Sequence, residues 1–158
     1  DVCGEGRQTL WDSLLIANRR DRNITIECWV KTPHKIAYQN IIGSYDGNGW
    51  GFCIDAGGRV TFFINSNVVQ TGATDVCDDE WHHIAVSRNA SSWRLFVDGA
   101  IDLEFFDGSY LSSPAQLRVG SLSDTYPRML KGFFTDIRYT DSMVYWNPFT
   151  PPTEPLAP

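Results

Sequence analysis

The sequence predicts an all-β fold: a two-sheet antiparallel sandwich of the jelly-roll type. Three features carry that expectation. Apolar residues recur with a period of two over short runs. Turn residues separate those runs, with 13 glycines and 8 prolines among 158 residues. No amphipathic helix longer than two turns is visible, although residues 9–16 and 141–146 are each compatible with a single turn.

The elements follow in order. Ile24, Ile26, Cys28 and Val30 alternate with Thr25, Glu27 and Trp29, which gives a strand with two distinct faces. Residues 40–45 form a short apolar strand, closed by the turn Asp46-Gly47-Asn48-Gly49. Residues 50–56 and 59–65 are two further strands joined at Gly57-Gly58, so this region reads as a meander of hairpins. Residues 81–88 are another strand, with Trp81 expected to be largely buried. In residues 93–97, Trp93, Leu95 and Val97 share a face, and Asp98-Gly99 suits a tight hairpin turn back into residues 101–106. Residues 117–120 and 130–139 complete the set, about ten or more strands in all. Residues 1–150 are expected to form one domain. Residues 151–158 hold Pro151, Pro152, Pro155 and Pro158, which cannot donate to a ladder, and read as a strap or linker.

Charge excludes one class of partner. A net charge of −6 and a pI near 4.9 repel phosphate backbones, so nucleic-acid binding is not expected. The basic spot at Arg19, Arg20 and Arg22 is interrupted by Asp21 and reads as a solvated loop. No apolar run is long enough for a membrane-spanning helix, so membrane insertion is not expected either.

Cys3, Cys28, Cys53 and Cys77 lack the close pairing of zinc sites. Their even number leads to the expectation of at least one disulfide and an extracellular, oxidising setting. Connectivity stays open. Two acceptor sequons, Asn23-Ile24-Thr25 and Asn89-Ala90-Ser91, matter only in a secreting eukaryote.

Five segments resemble laminin G-like and pentraxin-like domains. Ile24-Thr25-Ile26-Glu27-Cys28-Trp29-Val30 resembles their FTIEAWV strand, and Asp79-Glu80-Trp81-His82-His83-Ile84-Ala85-Val86 their DGEWHHVAV strand. Leu95-Phe96-Val97-Asp98-Gly99 resembles LYVDG, Leu117-Arg118-Val119-Gly120 resembles LRIG, and residues 131–139 resemble FKGYIDDVRIY. The order and spacing also match. The resemblance implies a concanavalin A-like sandwich of two curved sheets. Residues 149–153 are similar to the ending of such domains in virus-encoded surface proteins.

That fold includes glucanases, which place paired acids on one strand as E-x-D-x-E. No glutamate of this chain has an aspartate two residues on, so catalysis is not expected. His82 and His83 are adjacent on a strand and must point to opposite faces, so they cannot share an ion. Metal is the more open question. The loops matching the pentraxin calcium site, residues 33–40 and 121–128, retain only Asp124, and Leu122 stands where pentraxins have glutamate. Asn65 stands where laminin G domains have an aspartate. Calcium is therefore not required, and any ion would draw on Asp46, Asp124 or Asp136; Asp136 is equally readable as a structural acid. The resemblance also implies a disulfide pattern unlike that of pentraxins, because Cys28 is near their first cysteine but Ala85 or Val86 stands where they have the second.

Sugars stack on aromatic rings and exchange hydrogen bonds with planar polar groups. Tyr38, Gln39, Asn40, Trp50, Asp124, Tyr126 and Arg128 are the candidate ligand contacts, with the site between loops 33–40 and 121–128. The expected function is lectin-like recognition of a glycan or glycoprotein at a cell or virion surface, by a module joined to neighbouring domains of a larger protein. The alternative is a structural or protein–protein adhesion domain with no sugar site.

Overall fold

The computed structural model describes residues 23–45, 49–65, 68–109, 111, 116–122 and 128–153. Ten strands lie in that range: β1 (Ile24–Lys31), β2 (Gln39–Tyr45), β3 (Gly49–Ile54), β4 (Arg59–Ile64), β5 (Val68–Asp75), β6 (His82–Asn89), β7 (Ser92–Val97), β8 (Ala100–Phe106), β9 (Leu117–Val119) and β10 (Phe133–Thr140). They form two five-stranded antiparallel sheets. Sheet A runs β10-β1-β6-β7-β8, and sheet B runs β5-β4-β3-β2-β9. No helix occurs among the described residues.

The alternating residues meet between the sheets. Ile24, Ile26, Cys28 and Val30 of β1 join Ile84 and Val86 of β6 and Trp93, Leu95 and Val97 of β7. Sheet B answers with Trp50, Phe52 and Ile54 of β3 and Val60, Phe62 and Ile64 of β4. Phe62 packs on Trp93 at 5.1 Å, and Trp93 stacks on Phe105 at 5.7 Å with the planes 7° apart. Each fully buried aromatic or aliphatic side chain contributes roughly 1.5–3 kcal/mol, so this inter-sheet layer carries the fold.

Two features depart from the expectations. β5 was not anticipated, because Gln70, Thr71, Gly72 and Thr74 break the apolar alternation. Pairing to β4 and the carboxylate of Asp102 on β8 define it instead: Asp102 accepts from Ala73 N (3.0 Å), Thr74 N (3.0 Å) and the Thr74 hydroxyl (2.6 Å). Trp81 is 44% exposed rather than largely buried. The β1–β6 ladder begins at Val30–His82, which leaves Trp81 one residue outside the sheet.

Residues 141–146 form no helical turn; together with residues 147–153 they run as an irregular strap. Contacts all along the strap hold it to sheet A. Thr25 Oγ1 donates to the Ser142 carbonyl (3.0 Å) and accepts from Val144 N (2.9 Å). Arg94 lies over the Trp146 ring at 4.2 Å. Tyr145 and Phe149 stack at 3.7 Å, both against His83 and Phe96, and Phe149 N donates to the Gly99 carbonyl (3.0 Å). The strap explains why Thr25 and Glu27, on the face of β1 away from the core, are fully buried.

Candidate functional site

With the outer face of sheet A occupied by the strap, the outer face of sheet B is the place to look for a site. Strand register sets a row across it: Arg118, Gly43, Gly51, Phe63 and Val69 are successive cross-strand partners. The two glycines are required by what lies over them. A Cβ on Gly51 would stand 2.3 Å from Phe63 Cε1, and one on Gly43 would stand 2.7 Å from the Trp50 carbonyl oxygen. Phe63 therefore lies over a glycine floor, where it forms a second apolar cluster with Cys53, Leu122, Tyr38 and Tyr45.

Beside this cluster opens a cleft of about 200 Å3, lined by Tyr38, Tyr45, Phe63, Val69, Leu122 and Arg128. Tyr45 meets Phe63 edge-on at 5.8 Å, and the Arg128 guanidinium sits 4.8 Å from the centre of the Tyr38 ring. Both Tyr38 (φ 50) and Arg128 (φ 34) adopt left-handed backbone, a conformation that non-glycine residues hold only when their surroundings impose it. Gln39 and Asn40 are those surroundings. Gln39 is fully buried; its Nε2 donates to the His34 carbonyl and its Oε1 accepts from Lys131 N (2.9 Å). Asn40 N donates to the Arg128 carbonyl (2.8 Å), and Asn40 Nδ2 to that of Ser121 (2.6 Å). Asn40 Oδ1 is buried over the glycine floor, with no partner among the described residues.

Of the seven predicted ligand contacts, the fold brings Tyr38 and Arg128 together at the cleft. Gln39 and Asn40 hold the loops from beneath rather than meeting solvent. Trp50 requires a correction: it is the second residue of β3, faces the core and is only 4% exposed, so its ring is not available for stacking. Asp124 and Tyr126 lie outside the described residues, as does Asp46. Asp136 is the left-handed residue (φ 53) in the bulge where β10 slips against β1, beside the Thr135 hydroxyl (3.3 Å). Among the described residues no three His, Cys, Asp or Glu converge as a metal-binding set. Sequence reasoning missed Tyr45, Phe63 and Leu122 as a wall. The signal was the pair Phe62-Phe63: neighbours on a strand face opposite ways, so one ring had to lie outside the core.

The cysteines also require a correction. Cys28, Cys53 and Cys77 are free and buried, and Cys3 lies outside the described residues. Cys28 faces the core, whereas Cys53 lies in the cluster on the far side of sheet B, so the sheet itself separates them. Burial pushes the Cys53 thiol up to about 12 and the Cys77 thiol up to about 11, which keeps both protonated and unreactive.

Two other polar constellations are structural. Glu27 is fully buried, and both its oxygens are engaged: Oε1 accepts from Arg138 Nε (2.8 Å) and Nη2 (2.6 Å), and Oε2 from the Tyr145 hydroxyl (2.8 Å), with His83 Nε2 at 3.1 Å. Burial alone would raise its pKa, but the hydrogen bonds from His83, Tyr145 and Arg138 outweigh it and hold the carboxyl below its ordinary value. His82 points the other way, as strand geometry requires. It sits between Asp98 (2.7 Å) and Asp78 (3.1 Å), which raise its pKa against the opposing effect of burial.

A family model described as "Concanavalin A-like lectin/glucanases superfamily" matches residues 8–143. The chain belongs to this superfamily. Solved structures with the same fold include the CBM40 of Ruminococcus gnavus IT-sialidase bound to alpha2,3 sialyllactose, at TM-score 0.67 and 12% identity, covering 80% of each chain. The native heptameric SAP-like pentraxin from Limulus polyphemus matches at TM-score 0.63 and 12% identity, over 79% of this chain and 66% of that one. Domains LG4-5 of the mouse laminin alpha1 chain match at TM-score 0.62 and 12% identity, over 78% of this chain and 36% of that one. The superfamily domain described here thus spans about a third of the laminin fragment and two thirds of the pentraxin. No curated protein matches the chain by sequence.

Proposed function

We propose that this domain is a non-catalytic recognition module that binds a glycan, free or on a glycoprotein, in the cleft on sheet B. One observation carries the reading: an open cleft whose wall combines Tyr38, Tyr45 and Phe63 with the planar cation Arg128, on a rigid sheet. Aromatic faces bind the apolar faces of sugar rings, and phenol and guanidinium groups meet hydroxyls. The R. gnavus neighbour, a carbohydrate-binding module of the same fold, supports a binding role. The missing E-x-D-x-E pattern argues against hydrolysis. A surface or secreted location, within a larger protein, belongs to the same reading. No carboxylate lines the described part of the cleft, so the site is expected to work equally in calcium and in chelator.

A glycan array, run with calcium and with chelator, tests this. Tyr38→Ala is expected to weaken the bound glycan by about 1–2 kcal/mol, the order of one lost stacking contact, in a chain that still unfolds cooperatively. Full-strength binding by Tyr38→Ala moves the site elsewhere.

A second reading, protein–protein adhesion, draws on a different surface. Phe133 (68% exposed), Phe134, Met129 and Val119 show apolar surface around β9 and the start of β10, the outer strands of the two sheets. A glycan that binds Tyr38→Ala weakly and Phe133→Ser normally favours the cleft.

A further inference from the structure

We infer that the ligand of the cleft carries an anionic group, carboxylate or sulfate, and that Arg128 is the residue that reads it. This deepens the glycan reading and rests on it.

Asp and Glu number 19 against 13 Lys and Arg, so a carboxylate is the ordinary neighbour of a guanidinium here. Arg59 pairs with Asp55 (2.7 Å), Arg94 with Glu104 (2.7 Å) and Arg138 with Glu27 (2.6 Å). Among the described residues, no carboxylate pairs with Arg128, and no oxygen accepts a hydrogen bond from its side chain. Within that range its one side-chain partner is the Tyr38 ring. A guanidinium has five N–H donors in a fixed fork, and contact with a ring face consumes none of them.

Position strengthens the point. Among the described residues, Arg128 is the only charged one lining the cleft; the other five are Tyr38, Tyr45, Phe63, Val69 and Leu122. A lone cation beside apolar walls is less screened than one in open water. Asn40 N anchors its backbone through the Arg128 carbonyl, and the Tyr38 ring, 4.8 Å away, holds its guanidinium at the cleft. A fork of unused donors suits a carboxylate or sulfate better than it suits a hydroxyl.

The test uses the full chain against an array of neutral glycans and their sialylated, uronylated and sulfated counterparts, followed by titration of the best matched pair. The wild-type chain is expected to bind at least one anionic member about 10-fold more tightly than its neutral counterpart. Arg128→Gln is expected to remove that preference, costing the anionic glycan about 10-fold and the neutral one, which loses only a hydroxyl contact, less. Arg128→Lys is expected to restore part of the preference, and raised salt to shrink it. Comparing the sialylated, uronylated and sulfated arms separates carboxylate from sulfate. Equal binding of neutral and anionic members overturns the inference, as does an Arg128→Gln variant that keeps the preference; in either case loss of binding in Tyr38→Ala leaves the cleft reading standing. Binding unaffected by both Tyr38→Ala and Arg128→Gln, or no binding to any member, overturns both.

Discussion

Glu27 shows how one residue ties the fold together. Its carboxylate collects Arg138 from β10, His83 from β6 and Tyr145 from the strap, in a place water does not reach. Removing one partner of a buried pair leaves the other charge uncompensated, so Glu27→Ala is expected to cost about 3–5 kcal/mol. Urea unfolding measures it, and a loss below about 1 kcal/mol would mean the network is dispensable. The pH dependence follows from the direction of each shift. Glu27 is lowered, so its contribution is present above the ordinary carboxylate value and lost as pH falls through the folded one. His82 is raised, so its contribution is full below about 6.5 and lost as pH rises through the folded value. Asp78 and Asp98 are about half exposed, which keeps the His82 effect under about 1 kcal/mol. Wild-type melting temperature is therefore expected to fall slightly from pH 6 to pH 8, and His82→Gln to flatten that fall. The opposite facing of His82 and His83 was legible in the sequence from strand geometry alone. The exposure of Trp81 was not, because it depends on where the β1–β6 ladder starts.

Among the elements, the strap is the least readable from sequence and the most consequential for locating the site. Pro148, Pro151 and Pro152 say that residues 147–153 cannot join a sheet, but not which face they cover. That choice is made by side chains far apart in the chain: Arg94 under Trp146, and Gly99 under Phe149. Gly99 has φ 78, and a Cβ there would stand 1.8 Å from the Phe149 carbonyl oxygen. Gly99→Ala is expected to lift the end of the strap and to destabilise the fold by about 1–3 kcal/mol. Faster amide exchange around residues 145–149 would accompany it; unchanged exchange there would show that the strap does not depend on this turn. β5 makes the same point for strands. Val68 and Val69 carry some strand signal, but Asp102, which pins Ala73 and Thr74, belongs to a strand of the other sheet.

At the level of the whole molecule, the sandwich itself was legible. Alternation in β1 and β7 grouped the residues that share the core face, Ile24, Ile26, Cys28 and Val30 in one and Trp93, Leu95 and Val97 in the other, because burial between two sheets acts on every second residue. The cleft was half legible. Loops 33–40 and 121–128 supplied Tyr38 and Arg128, but the wall of Tyr45, Phe63 and Leu122 depends on which strands neighbour one another, and Trp50 went to the core for the same reason. The two sheets end up with different outer faces. The strap covers that of sheet A over β1, β6 and β7, and that of sheet B carries an open cleft lined, among the described residues, by one cation. Recognition on sheet B is tested most directly by amide and aromatic NMR shifts of the isotope-labelled chain, titrated with the tightest glycan from the array. Shifts are expected to be confined to Tyr38, Tyr45, Phe63, Leu122, Arg128 and their neighbours, with Thr25, Phe96, Tyr145 and Phe149 unmoved. Shifts centred on the strap side, or around Phe133 and Met129, would contradict it.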